Sequence, residues 1–205
     1  KSLIESMFAC HGCLRENSIN EKKKKKERRT KNNQYIEKNG IEINTNLACL
    51  LGEDTVKLKS LDEISKRIIT CLITVQISSD IANGKYNESL EYFLPLYKKF
   101  NSYDCLNSKE KRIIDGTYTD QDVIDMDWAY EACWSLCWCL GLVNDIKDAS
   151  LLCDCEKAIS FIRDSNSLDD FKSKCKIRSI DEILDMQDLY FRYGWAINEH
   201  KVNDK

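Results

Sequence analysis

Residues 131–142 read EACWSLCWCLGL. On a helix, Cys133 and Cys137 stack one turn apart, as do Trp134 and Trp138. Leu136, Cys139, Leu140 and Leu142 fill the remaining directions. A helix that is apolar all round belongs in a core, and unpaired cysteine is among the most buried residue types. Two thiols one turn apart could supply half of a metal site, but no histidine or carboxylate occupies the matching next turn. The stretch reads as the buried, Trp/Cys-rich central helix of an all-α protein, with Glu131 the one charged group at its polar start.

Start signals outside this stretch agree. Ser60 opens SLDE, a capping box in which the hydroxyl and Glu63 satisfy free backbone amides. Ile64, Ile68, Ile69, Leu72 and Ile73 then recur at helical spacing down to Asn83-Gly84. A second helix is expected over 87–100, with Pro95 either kinking it or marking its first turn. Asn107 with Glu110 starts a short helix, and Thr119 with Asp122 starts a long one containing EACWSLCWCLGL. Asp154 caps a helix through Phe161 and Ile162, SLDD at 167–170 opens another, and Ser179 with Glu182 opens the last, IDEILDMQDLYFRYGWAINE. Only 41–58 reads as non-helical, with room for a short extended segment. The octets KLKSLDEI (57–64) and KIRSIDEI (176–183) echo one another, but the likeness ends after eight residues and reflects two similar caps.

Composition supports this class. The 205 residues include one proline and seven glycines, too few chain-breakers for a turn-rich sandwich, with 42% hydrophobic and 32% charged residues. The expected organisation is a single-domain multi-helix bundle over 35–205, preceded by an extension, 1–34, that carries a basic helix. Eleven cysteines are an odd number at irregular spacing, which points to a reducing, cytoplasmic setting rather than a disulfide scaffold. No apolar run approaches a bilayer-crossing length, so no membrane partner is expected.

The net charge of −3 demands no polyanionic partner. Charge is unevenly spread, however. Residues 21–38 hold nine Lys or Arg, including KKKKKERR at 22–29, whereas 113–156 hold ten Asp or Glu and a single base, Lys147. The lysine run lacks aromatic interleaving, so nucleic-acid binding is not expected. It reads as a solvated helix face or a strap across the acidic middle.

Three groups could carry chemistry. CHGC at 10–13 supplies two thiolates, but zinc needs four ligands and the next cysteine is Cys49. A redox pair of the thioredoxin type needs a strand leading into a helix, and no strand is expected before this motif. CDC at 153–155 has one intervening residue, awkward for shared chelation, and reads as loop cysteines. No metal or cofactor is expected. The third group is a polar cluster. Asp185, Asp188, Arg192, Trp195 and Glu199 recur at steps of three or four on the last helix, opposite Leu184 and Phe191, and Asp188 precedes Arg192 in the favourable i, i+4 order. Glu131, beside Trp138, could join them as a site or as a hydrogen-bonded buckle between two core helices.

Trp128 to Leu142 (W-x-x-E-A-C-W-S-L-C-W-C-L-G-L) and Arg178 to Ala196 (RSIDEILDMQDLYFRYGWA) resemble an uncharacterised bacterial family, domain of unknown function family 4272. YIEKNGIEINTNL at 35–47, VKLKSLDEISKRI at 56–68 and LNSKEKRI at 106–113 extend the resemblance over about residues 28–200. By it, Trp128, Glu131, Trp138 and Gly141 match one family signature, and Arg178, Asp185, Asp188, Tyr190, Arg192 and Trp195 match another. Members usually carry a histidine where Gly194 stands here, and their pattern runs on past Lys205. The family implies no established reaction.

The functional expectation is a non-catalytic interaction module that docks a basic protein through Asp115, Asp120, Asp122, Asp125 and Asp127. An immunity-type protein neutralising a bacterial toxin fits that chemistry. The alternative is a carboxylate enzyme, with or without a divalent cation, built on Glu131, Asp185 and Asp188.

Overall fold

The structure, a computed structural model, describes residues 8–10 and 19–203. They divide into two compact units, neither contiguous in sequence: one of the described residues within 1–59, 147–150 and 178–205, the other 60–146 and 151–177. Among the described residues the chain is overwhelmingly α-helical, as the start signals require.

The first unit pairs two long helices, α1 (Ile19–Lys38) and α9 (Ile180–Asn203), and adds a two-stranded antiparallel ribbon of β1 (Phe8–Cys10) and β2 (Val56–Leu58). β2 is the extended segment expected within 41–58. β1 corrects the sequence reading, which placed no strand ahead of CHGC: Cys10 ends a strand, while His11, Gly12 and Cys13 lie outside the described residues. A three-residue strand has no alternation to read, and its pairing with β2 is what defines it. α1 runs through position 34, where an N-terminal extension was expected to end, and packs on α9.

The second unit is built around α2 (Leu61–Ile81). Its aliphatic residues Ile64, Ile68, Ile69, Leu72, Ile73, Val75 and Ile77 form a broad apolar face, and all are buried. Packed on it are α3 (Tyr86–Lys99), α4 (Ser108–Ile114), α5 (Asp120–Asp127), α6 (Ala129–Cys139), α7 (Cys155–Arg163) and α8 (Leu168–Ser173). Two buried hydroxyls on α2 bond to neighbouring elements: Thr70 Oγ1 donates to the Ser102 carbonyl at 2.9 Å, and Thr74 Oγ1 shares a 2.6 Å bond with the Tyr97 hydroxyl; the buried Ser65 and Ser78 hydroxyls have no hydrogen-bond partner among the described residues. Arg67 reaches from α2 to the buried Glu110 carboxylate and to the Cys105 carbonyl at 3.0 Å, giving a charged pair inside a mostly apolar interface.

The expected caps form. Ser60/Glu63, Asn107/Glu110 and Thr119/Asp122 are complete capping boxes, Asp154 accepts from the Lys157 amide at 2.9 Å, and Ser167 accepts from the Asp170 amide at 3.1 Å. Ser179 and Glu182 exchange the same pair of bonds at the start of α9. Pro95 lies inside α3 rather than in its first turn.

One expected helix is two. The segment opened by Thr119 breaks at Trp128, which ends α5 and begins α6 with ψ of −10°, away from the helical value of about −42°. No glycine or proline marks the break. Its cause is tertiary, because α5 and α6 each pack on α2 as well as on each other. On α6 the side chains of Cys133, Leu136, Cys137, Trp138 and Cys139 are buried, while Ala132, Trp134 and Ser135 are half-exposed. The helix that the others surround is α2.

α6 ends in a Schellman turn. The Gly141 amide donates to Trp138 O at 2.9 Å and the Leu142 amide to Cys137 O at 3.0 Å, with Gly141 at φ of 72°. A Cβ at Gly141 would stand 2.8 Å from the Lys176 carbonyl oxygen, and the Lys176 amide donates to Leu140 O at 2.8 Å. Left-handed backbone and close approach together demand glycine here. Gly141→Ala is expected to cost about 1–3 kcal/mol in unfolding by denaturant, the range for a forced left-handed residue. Unchanged stability would mean the turn relaxes.

Candidate functional site

The polar cluster expected around Glu131 draws its residues from both units. Asp185, Asp188 and Arg192 belong to the first unit and Glu131 to the second, and each set finds hydrogen-bond partners within its own unit.

In the first unit, Asp188 and Arg192 form a two-pronged ion pair, Nε to Oδ2 and Nη2 to Oδ1, both at 2.8 Å. They are 1% and 2% exposed. α1 supplies what the pair still needs: Asn32 Nδ2 donates to Asp188 Oδ2 at 2.9 Å, and Asn33 Oδ1 accepts from Arg192 Nη1 at 3.2 Å. Asn32 also donates to the Asp185 carbonyl at 2.9 Å. The Asp185 carboxylate is held by Arg28 Nε at 2.9 Å and Lys31 Nζ at 2.7 Å, and Asp181 accepts from Arg28 Nη2 at 3.2 Å. Every one of these contacts joins α1 to α9 or lies within α9. Together they form a hydrogen-bonded buckle between α1 and α9.

Part of the lysine-rich face is tied down within the first unit. The ion pairs of Lys24, Lys25, Arg28 and Lys31 run to Glu53, Asp54, Asp181 and Asp185. Lys22, Lys23 and Lys26 are exposed. The Asp181 carboxyl, bonding to Glu53, pushes the Glu53 carboxyl up, with burial adding to it.

Trp195 is half-exposed on α9, and Gly194 beside it has open space where a side chain would stand. Phe191, expected on the apolar side, is 37% exposed; Leu189, Tyr193 and Ala196 fill the buried side with Leu184. A cavity of about 760 Å³ opens beside this helix, lined by Tyr35, Asn39, Asp148, Ser150, Tyr193 and Ile197 among others. That volume is in the range of small-molecule sites. The Tyr193 hydroxyl donates to Lys147 O at 3.1 Å, and the Ser150 hydroxyl and amide hold the Asp148 carboxyl below the usual carboxylate range.

In the second unit, Glu131 Oε1 accepts from the Cys153 amide at 2.8 Å, so the carboxylate faces the CDC loop at the start of α7. Trp138, one of the cluster residues expected beside it, is buried.

The five expected surface aspartates separate by role. Asp115, Asp120 and Asp127 are exposed. Asp122 is buried: it closes the Thr119 capping box and takes a two-pronged ion pair from Arg112. Asp125 is half-exposed and paired with Lys109 and Gln121. Residues that sequence reasoning missed stand beside them. Ile124 is 51% exposed and Trp128 is 67% exposed, and with Asp120 and Asp127 they recur at i, i+4, i+7 and i+8 along one stripe. The signal was that spacing, but an apolar residue in a helical pattern is normally assigned to the core.

Among the described residues, no group of three or more His, Cys, Asp or Glu side chains is placed to hold a metal ion, and no helix is long and apolar enough to cross a membrane.

Two outcomes follow from these contacts. Asp188→Ala strands the Arg192 guanidinium in an enclosed site and is expected to lower unfolding free energy by about 3–5 kcal/mol; a loss under about 1 kcal/mol would mean the pair is solvated. The second concerns acid. The Arg112 guanidinium, with the Thr119 amide, holds the Asp122 carboxyl well below the usual range. A depressed folded value stabilises the fold above the ordinary Asp pKa of about 3.9, and that contribution is lost as pH falls below it. The melting-temperature gap between the parent chain and Asp122→Asn is therefore expected to be full at neutral pH and to close in strong acid. A gap independent of pH would contradict the ion pair.

A family model described as "Domain of unknown function (DUF4272)" matches residues 28–205. No curated protein matches the chain, and no solved structure does. The family match begins within α1, spans both signature segments and takes in α9, whose Asp188 and Arg192 hold it to α1. The chain belongs to the DUF4272 family.

Proposed function

We propose that this protein is a non-catalytic helical interaction module whose docking surface is the exposed stripe Asp120, Ile124, Asp127 and Trp128. The observation that carries the reading is Trp128, a tryptophan 67% exposed at the break between two helices. Tryptophan is the residue most enriched at binding hot spots, where a large rigid ring enters a partner's pocket and polar neighbours exclude water around it. The neighbours here are acidic, and Asp115 adds a further exposed carboxylate from the end of α4. A basic partner supplies the complementary charge. Asp122 and Asp125, already engaged by Arg112 and Lys109, hold α4 to α5 rather than meeting a partner.

The immunity-type role belongs to this reading, with a basic toxin as the partner. The carboxylate-enzyme alternative draws little from the geometry. Asp188 is enclosed by Arg192 and Asn32, Asp185 is held by two cations, and Glu131 binds a backbone amide elsewhere in the chain.

Co-purification with the product of the adjacent gene tests the proposal. Retention at low salt is expected for the parent chain, with loss on Trp128→Ala and weaker, more salt-sensitive retention on Asp120→Asn with Asp127→Asn. Truncating a hot-spot tryptophan removes about 2–4 kcal/mol of binding, a thirtyfold or greater loss of affinity by that estimate. Equal retention of the parent and Trp128→Ala would overturn the proposal, as would Trp128-dependent dimerisation of the chain alone in sedimentation.

A further inference from the structure

We propose that Cys153 and Cys155 form a dithiol that exchanges with low-molecular-weight disulfides, with Glu131 taking the proton of Cys153. The two sulfurs stand 3.6 Å apart. Asp154 between them caps α7 with φ of −82° and ψ of 93°, a bent conformation near that of an inverse γ-turn, which folds the two cysteines toward each other. Both are free thiols. Their exposure differs in the way that exchange requires: Cys155 is exposed and reachable, and Cys153 is half-buried behind it. Leu151 and Leu152, 69% and 82% exposed, leave the approach open and apolar.

Glu131 makes this more than a pair of loop cysteines. Its Oε1 accepts the Cys153 amide at 2.8 Å, fixing the carboxylate against the half-buried cysteine. Burial pushes the Cys153 thiol up, and both the neighbouring Cys155 and the Glu131 charge push it further, so Cys153 keeps its proton until a base removes it. The Glu131 carboxylate, already in place, receives that proton as the new sulfur–sulfur bond forms.

The exchange balances in two steps. Cys155, as thiolate, attacks one sulfur of RS–SR; the Cys155–SR bond forms, the RS–SR bond breaks, and RS⁻ leaves and takes up a proton from water. Cys153 then attacks Cys155 Sγ while its proton moves to Glu131. The Cys153–Cys155 bond forms, the second RS⁻ leaves, and Glu131 gives it the proton. Two protein thiols are oxidised and one external disulfide is reduced to two thiols.

The test is peptide mapping after brief exposure of the full chain to oxidised glutathione. Cleavage after Lys147 and Lys157 isolates DASLLCDCEK, residues 148–157, which contains these two of the eleven cysteines and no other. The parent chain is expected to yield this peptide lighter by about two daltons, the mass of the two hydrogens lost on disulfide formation. Cys153→Ser is expected to stop at a glutathione adduct on Cys155. Glu131→Gln keeps an oxygen for the Cys153 amide and so keeps the loop, but is expected to close roughly tenfold more slowly, with the Cys155 adduct accumulating. A peptide left as the dithiol, an adduct on Cys153 instead of Cys155, or a disulfide to a cysteine outside the peptide would overturn the proposal. Closure of Glu131→Gln at the parent rate would overturn the role of Glu131.

Discussion

The second unit depends on one constraint: α2 buries most of its length. Twelve of its 21 residues are buried, among them seven aliphatic residues, and a helix buried to that extent must be enclosed by other elements. α3, α5, α6, α4 and α8 supply the enclosure, and their own apolar stripes are satisfied in doing so. α6 finds its place by that demand, burying Cys133, Leu136 and Cys137 as small and medium packing groups. Enclosure also accounts for three of the polar residues on α2. Thr70 and Thr74 bond to Ser102 and Tyr97, and Arg67 meets Glu110, because a buried polar group without a partner costs more than one that is paired.

The first unit is held by different means. The pairing of α1 with α9 includes Asp188 and Arg192, nearly sealed from solvent, and two asparagines that complete their hydrogen bonds. Such a pair adds little net stability over a packed apolar equivalent, but either partner alone would be a buried charge. Its consequence is register. Asn32 reaches both Asp188 and the Asp185 carbonyl, and slipping either helix by one residue breaks both contacts.

What was legible in the sequence was local. Capping boxes at Ser60, Asn107, Thr119 and Ser179 declare helix starts because the bonds they form span three residues. The Asp188–Arg192 pair was legible for the same reason, one helical turn apart. Its completion by Asn32 was not, since that bond joins positions 156 apart and no spacing rule connects them. The break at Trp128 was equally hidden: no residue there forbids a helix, and only packing on α2 divides the segment. Phe191 and Trp128 show the limit of apolar periodicity, which identifies a stripe without saying whether anything covers it. Glu131 drew attention as a lone carboxylate on an apolar helix, but its ligand, the Cys153 amide, lies past a loop whose course the sequence does not reveal.

Together these features favour a scaffold that encloses most of its unusual chemistry and presents little of it. The Asp188–Arg192 pair is enclosed, whereas the aromatic side chain of Trp128 is left in solvent beside carboxylates. The central claim is that the molecule meets its partner at the α5–α6 break. A photoreactive residue placed at position 124, activated in living cells of the source organism, tests it most directly. The account predicts a crosslinked adduct with a basic protein from position 124 and none from position 197, which is also exposed but lies on α9. An adduct from 197 with none from 124 would contradict it.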